Sequence, residues 1–155
     1  MRLLAVNLVV CLALVAQFVL GMIANLFVTV PAHHPGAQAS DYFSGVVASL
    51  AWLIPHGEPW LVAHAVLGLV LAAGALVNLL WMLRPRSALY ATASVVGALA
   101  VLGAGFNGAS FVIYGLDVSS MIMSTLWALA MCCYLVCFYV AARSDPHTPS
   151  TPSSV

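Results

Sequence analysis

The sequence has very little charge. Charged residues make up 5% of its 155 positions, lysine is absent and the net charge is zero, whereas a soluble domain has about 25% charged residues. So few charges leave too little polar surface to face water on all sides. Without lysine or a basic patch, the chain also lacks the electrostatic footprint of a nucleic-acid-binding protein. The composition excludes both classes.

The sequence also lacks the motifs of common catalytic sites. It contains no GxSxG, no HExxH, no phosphate-binding glycine loop, and no pair of carboxylates within an apolar run. The glycines of GAGFNGAS match neither nucleotide-binding spacing and fall inside an apolar run, so they indicate close helix packing. These absences favour a non-enzymatic role.

Long apolar runs dominate the chain, since 64% of its residues are hydrophobic. Four runs exceed the roughly 20 residues that a helix needs to cross a bilayer. We predict an all-α fold, a four-helix transmembrane bundle in one membrane domain at 1–143, with a polar, proline-rich tail at 144–155 that is disordered in the cytoplasm. The predicted spans are about 3–30, 60–83, 87–114 and 119–142.

All four basic residues fall on one side of a four-span arrangement. By the positive-inside rule that side is the cytoplasm, which places both termini there. The first run is too long for a signal peptide, so we expect it to stay as a helix. The basic residues are Arg2, Arg84, Arg86 and Arg143.

The four cysteines fall in the inner halves of the first and fourth spans. Because none reaches an oxidising exterior, disulfides are not expected. They are interpreted as small buried hydrophobic residues, with a thiol site at Cys133 and Cys137 as the alternative.

The longest connection is the outer loop at 31–59. Its PAHHPG opening predicts a turn bracketed by prolines. A short helix over Tyr42–Ile54 follows, capped by Ser40 or Asp41 and closed by Pro55. This helix is too short to cross a membrane, so we expect it to lie along the outer interface or to dip into the bundle.

A polar layer is predicted beneath the outer face. His64 is the one ionisable side chain expected inside the membrane, and such a residue is a functional-site hypothesis. The alternative is a neutral imidazole that fixes helix register through hydrogen bonds, for instance with Asn107 or a serine. The inner half shows no equivalent, since Asn7 and Asn78 fall near its rim. Counting 1.5 Å per residue from the outer ends places five residues at about 2–10 Å depth, namely Asn25, His64, Asn107, Ser120 and Ser124.

Two cofactors are compatible with these residues. Haem b would use His64 as one iron ligand, with a loop histidine or a methionine such as Met22 as the other. Copper would suit an outer site of imidazole and thioether ligands, although HisHisProGly is equally an ordinary exposed turn. The candidate metal ligands are His33, His34, His56, Met121 and Met123.

Three segments carry a resemblance to known proteins, and together they cover most of the chain outside the tail. QFVLGMIANLFVTVPAHHPG, LVAHAVLG and GAGFNGASFVIYG resemble a family of small four-span bacterial membrane proteins without an established activity. At a coarser level the bundle is similar to haem proteins of the cytochrome b561 type and to half of a haem A synthase. That similarity implies a haem ligand at His64, but Asp117, Ser119 and Ser120 stand where the fourth span would supply its partner.

Together with this resemblance, the sequence favours a non-enzymatic accessory or assembly subunit in the lipid bilayer of a bacterial plasma membrane, bound to another membrane protein or to itself through small-residue faces. The alternative function is a haem- or copper-binding redox or sensing protein centred on His64.

Overall fold

The computed structural model describes residues 2–81 and 87–143. The predicted all-α helical bundle is confirmed, and no strand occurs in the described residues. Four of the five helices are long and apolar enough to cross a membrane. The helices are α1 (Arg2–Phe27), α2 (Tyr42–His56), α3 (Pro59–Trp81), α4 (Ala88–Tyr114) and α5 (Asp117–Arg143).

The four long helices form a ring in the order α1, α3, α4, α5, and α1 also packs against α5. The most extensive contact joins α4 and α5, and α2 packs against α4. We call the end of the bundle that carries α2 the outer end and the opposite end, where α1 begins and α5 ends, the inner end. With nine buried residues, α4 is the most enclosed helix, because its small side chains let its neighbours approach closely.

The contact between α4 and α5 depends on a glycine. A Cβ atom added at Gly97 would lie 3.0 Å from the Cβ of Cys133 and 3.2 Å from the ring of Tyr134. Ala98, Ala130 and Tyr134 are buried in the same core. All four cysteines carry free thiols. Because apolar side chains gain nothing in lipid by facing one another, this close contact supplies packing that hydrophobicity cannot.

Two helix ends differ from the prediction, and both differences have a local cause. The first helix ends at Phe27 instead of residue 30, since β-branched residues and then Pro31 follow. The second helix continues through Pro55 to His56. A proline in the last turn removes a single helical hydrogen bond, and the Gly57 N–H closes that turn on the Leu53 carbonyl at 2.7 Å.

Three other boundaries complete the comparison. The third helix begins at Pro59 and the fifth at Asp117, one and two residues before their predicted starts. Ser87 caps α4 by accepting from the Tyr90 N–H, in agreement with the predicted start at 87. The predicted end of the second span at 83 and the predicted tail at 144–155 lie outside the described residues.

The outer loop attaches α2 to the outer end of α4. The Gln38 N–H donates to the Ile113 carbonyl at 2.9 Å, and the Tyr114 hydroxyl donates to the Ala39 carbonyl at 3.2 Å. Gly36, at φ +91°, lies directly against Ser49, so a Cβ atom there would collide with α2. Tight backbone packing therefore holds the loop beside the bundle.

The role of Gly97 can be tested by substitution. We expect Gly97→Leu to lower the free energy of unfolding by about 1–3 kcal/mol or more, because the side chain would force α4 away from α5. Gly105→Leu on the same helix is the matched control, since no described atom lies within 4 Å of an added Cβ there. It should change the free energy by less than about 1 kcal/mol. Unfolding in detergent, followed by circular dichroism, measures both; equal effects would contradict the proposed contact.

The cap of α2 should be sensitive to acid. Hydrogen bonds from the backbone N–H and then the hydroxyl of Ser44 lower the pKa of Asp41 below its ordinary 3.8, and the N–H donor lies 2.8 Å from the carboxylate. A lowered pKa means that the cap is fully present above pH 3.8 and is lost as the pH falls through the folded-state value. We expect protection of the Ser44 amide from hydrogen exchange to fall only once the pH drops below 3.8. In Asp41→Asn the cap remains and the pH dependence should disappear; a dependence that persists would assign it to another group.

Candidate functional site: polar contacts between helices

His64 lies in the second turn of α3 and faces α1, where it pairs with Gln17. Its Nδ1 is 3.2 Å from the backbone carbonyl oxygen of Gln17, and its Nε2 is 3.3 Å from the Gln17 side-chain nitrogen. The same side-chain nitrogen donates to the backbone carbonyl of His64 at 3.1 Å. Three contacts between two residues therefore join α1 to α3. We call this pair the Gln17–His64 clasp.

The geometry of the clasp assigns the imidazole tautomer. The carbonyl oxygen of His64 requires a donor, so it orients the Gln17 amide with its NH₂ group inward. The second hydrogen of that NH₂ points to Nε2, which must accept, and the ring proton then resides on Nδ1 and is donated to the Gln17 carbonyl. In this orientation the Gln17 Oε1 atom is buried without a partner among the described residues. The flipped amide is less favourable, because it would place Oε1 against the carbonyl oxygen of His64.

Two glycines make room for the clasp. A Cβ atom at Gly21 would lie 2.8 Å from His64 Cε1, and a Cβ atom at Gly68 would lie 3.1 Å from Gln17 Nε2. Each helix thus contributes a polar residue and, four positions later, a glycine that receives the partner's side chain. Residues four apart share a helix face, so the two faces are complementary.

The clasp bears directly on the predicted cofactors. A neutral imidazole coordinates a metal through a nitrogen lone pair, and in the clasp one ring nitrogen is a donor and the other accepts from Gln17. Ligation of haem iron or copper by His64 would therefore require the helix contact to break. This arrangement matches the structural alternative, an imidazole that fixes helix register, with Gln17 in place of the expected partner.

The other members of the predicted outer layer form separate contacts. Ser120 donates to Asn25 at 3.3 Å and so links α5 with α1. Asn107 donates to the Gly103 carbonyl of its own helix, and Ser124 donates to the Ser120 carbonyl of its own helix. The structure thus brings Asn25 and Ser120 together, whereas the hydrogen bonds of His64 run to Gln17.

The predicted metal ligands are distributed over the outer end. His34 stacks on Trp52 with ring centroids 4.8 Å apart, and its nitrogens lie 2.9 and 3.2 Å from the carbonyls of Pro35 and Val112. His56 Nδ1 is hydrogen-bonded to the Trp52 carbonyl oxygen at 3.1 Å, and His33 is exposed. Within residues 2–81 and 87–143, no three His, Cys, Asp or Glu side chains are grouped to hold a metal ion.

The two methionines of the predicted copper site have different surroundings. Met121 is exposed, whereas the sulfur of Met123 lies 3.1 Å from the position of a Cβ atom at Gly108. Met123 therefore fills the space left by a glycine of α4, in the same way that Leu126 packs over Gly103. This contact explains Met123 as a packing residue between α4 and α5.

The inner end contains a polar network that the sequence reasoning missed. Asn7, on α1, is buried and donates to the Tyr90 hydroxyl of α4 at 3.2 Å. Asn78, on α3, donates to buried Ser94 of α4 at 2.9 Å. The thiol of Cys137, on α5, points to the Tyr90 carbonyl at 3.8 Å. Counting depth from the inner ends, and treating tyrosine and cysteine as polar, would have revealed it.

A tryptophan joins the middle of α5 to α1. The indole N–H of Trp127 donates to the Leu14 carbonyl at 2.7 Å, and its ring stacks on Phe18 with centroids 4.5 Å apart. A tryptophan inside a bundle requires such a partner for its N–H. Along the whole bundle, therefore, polar side chains connect neighbouring helices.

Comparison of the chain with protein-family models, with curated proteins and with solved structures finds no match. The chemistry that the geometry itself supports is mutual recognition of helices.

The clasp predicts energetic coupling between its two residues. Gln17→Leu and His64→Leu should each lower the free energy of unfolding by about 1–2 kcal/mol, because each leaves a polar partner unsatisfied. The double variant should lose less than the sum, with a coupling energy of about 0.5–1.5 kcal/mol. Unfolding in mixed micelles measures all four proteins. Gln17→Leu with Val66→Leu, at an exposed position of α3, is the control pair, and its two effects on the free energy of unfolding should be additive. Additive effects of Gln17→Leu and His64→Leu would contradict the clasp.

Proposed function

We propose that the protein is a non-enzymatic accessory or assembly subunit of a bacterial plasma membrane, and that it binds a membrane-spanning helix of another protein or of a second copy. Its four long helices cross the bilayer. Both ends of the chain face the cytoplasm, and α2 lies at the external face.

The orientation is supported by the distribution of arginine. Arg2 and Arg143 stand at the inner end, where α1 begins and α5 ends. Arg84 and Arg86 lie in the sequence between the end of α3 and the start of α4. Positive charge next to membrane spans remains on the cytoplasmic side. At the outer end, Asp41 and Glu58 flank α2. The proposed external position of α2 follows from this asymmetry.

The observation that carries the proposal is the difference between two sets of glycines. Five of the seven glycines in the long helices receive a side chain of a neighbouring helix: Gly21, Gly68, Gly97, Gly103 and Gly108. For Gly74 on α3 and Gly105 on α4, no atom of the described residues lies within 4 Å of an added Cβ. Glycine inside a helix costs about 1 kcal/mol relative to alanine, and both sites face outward.

An exposed glycine in a membrane-spanning helix allows another helix to approach closely. Gly74 is next to exposed Ala73, with Val70 and Val77 on the same outward side of α3. Each of the five glycines that contact a neighbouring long helix makes room for a side chain of that helix. By the same physical rule, the outward glycines are the places where a partner helix fits.

The proposal predicts that a large side chain at Gly74 or Gly105 prevents binding of the partner. In mild detergent, the wild-type protein should carry a stoichiometric membrane partner or form a defined oligomer, measured by native mass spectrometry. We expect Gly74→Leu or Gly105→Leu to release it, with affinity reduced about tenfold or more for a lost close contact. Leu76→Phe, which adds bulk elsewhere on the exposed surface of α3, is the control and should retain the partner.

Two results would overturn this proposal. One is a strictly monomeric wild-type protein that retains no membrane partner in mild extraction. The other is a partner that binds equally to Gly74→Leu, Gly105→Leu and Leu76→Phe, which would place the contact on a different surface.

A further inference from the structure

The short helix α2 exposes large apolar side chains, whereas a helix in water exposes mainly polar ones. Its buried face consists of Gly45, Ser49 and Leu53. Its outward face carries Phe43, Val47 and Ile54, which are 74%, 69% and 55% exposed. Exposed Ala51 completes the outward set, and at 100° per residue all four positions fall within about 80° of one another. We call these four residues the α2 apolar stripe.

The stripe has few polar neighbours on its own helix. From Tyr42 to His56, α2 contains no Asp, Glu, Lys or Arg, and its charged neighbours Asp41 and Glu58 lie beyond its two ends. An exposed helix surface of this kind in a water-soluble region would be an unpartnered hydrophobic patch, which requires a covering partner.

The depth of α2 indicates which partner covers it. The Tyr42 hydroxyl donates to the Phe106 carbonyl at 2.7 Å, and Phe106 is eight residues before the end of α4 at Tyr114, about 12 Å along the helix axis. Gly45 lies close to the Ile113 side chain. The start of α2 therefore lies beside the last turns of a membrane-crossing helix and not above it.

The stripe is also continuous with the outward surface of the bundle. Phe43 contacts Tyr42 edge to face at 5.5 Å, and Tyr42 stacks on Phe106 at 4.3 Å. Phe106 is itself 53% exposed on the lipid-facing side of α4, and Trp60, just after α2, is 52% exposed. Tryptophan and tyrosine are typical of the boundary between hydrocarbon and headgroups.

We propose that the α2 apolar stripe is a lipid-binding surface, inserted at the boundary between headgroups and acyl chains of the outer leaflet. This inference rests on the proposed membrane insertion of the four long helices. The ligand class is phospholipid: the stripe contacts acyl carbons, while Asp41 and Glu58 at the ends of α2 remain in the hydrated headgroup layer. Helices with an apolar face bury it about 5–10 Å into this boundary. The anchored helix holds the outer loop against α4.

Spin labelling in bilayers tests this placement. The full chain, with exposed Cys132 and half-buried Cys133 replaced by alanine, is labelled at Val47→Cys and reconstituted into phosphatidylcholine–phosphatidylglycerol vesicles. Collisions with oxygen report hydrocarbon, and collisions with a soluble nickel chelate report water. Relative to a label at exposed His33, the label at residue 47 should collide with the chelate about tenfold less, because polar solutes are excluded from hydrocarbon. A label at Leu12, 61% exposed on α1 and away from the proposed partner glycines, is the matched probe of the membrane-crossing surface.

The outcomes separate the two proposals. Oxygen-accessible labels at both residues 47 and 12 support the lipid-binding stripe. A chelate-accessible label at residue 47 with a hydrocarbon-buried label at residue 12 overturns the stripe and leaves the membrane bundle intact. A label at residue 47 that neither reagent reaches indicates a protein partner and also overturns the stripe. A chelate-accessible label at residue 12 contradicts membrane insertion itself. Ile54→Cys gives an independent reading if Val47→Cys does not fold.

Discussion

The structure depends on contacts that remain favourable between helices when the solvent is hydrocarbon. Apolar side chains are no better placed against one another than against lipid, so close backbone approach and hydrogen bonds must hold such a bundle together. Gln17 and His64 join α1 to α3, and Asn78 and Ser94 join α3 to α4. Trp127 connects α5 to the Leu14 carbonyl of α1. At the contact between α1 and α3, Gly21 and Gly68 provide the space that His64 and Gln17 occupy.

This constraint also explains the role of the histidine. An ionisable residue in a membrane helix raises the hypothesis of a cofactor or a proton path. Here the imidazole of His64 packs against Gly21, and the side chain of Gln17 packs against Gly68. A side chain placed with this degree of complementarity fixes the register of two helices. Our two proposals therefore concern surfaces that the bundle leaves outward, namely Gly74 of α3, Gly105 of α4 and the α2 apolar stripe.

Sequence reasoning identified the helices more accurately than the contacts between them. Hydropathy is summed over twenty or more residues, so the four long helices were evident, and the Asx cap placed the start of α2 correctly at Tyr42. Contacts depend on rotation and axial offset, which hydropathy does not contain. The depth of Asn25 is counted from residue 30, whereas α1 ends at Phe27, so its level relative to the other helices is shifted. Gln17, the partner of His64, is not among the residues of the predicted layer.

The inner network was missed for a chemical reason. Tyr90 and Cys137 were grouped with apolar residues, although a phenol and a thiol both hydrogen bond when buried. Asn7 and Asn78 consequently seemed isolated near the rim, while in the structure they meet Tyr90 and Ser94. Asn107 and Ser124 illustrate the opposite error, since their side chains bond to carbonyls of their own helices. A short polar side chain can hydrogen bond to a backbone carbonyl of its own helix. Sequence alone does not distinguish this from a hydrogen bond to a neighbouring helix.

The state of the His64 ring is the most direct measure of this account. Nitrogen-15 NMR of protein labelled at histidine, assigned by comparison with His64→Gln, reports the proton on each ring nitrogen. The clasp predicts, at neutral pH, a protonated Nδ1 and an unprotonated, hydrogen-bonded Nε2, unchanged when haem or copper is supplied. A proton on Nε2, or a ring signal altered by a bound metal, would contradict the assignment of His64 to helix register.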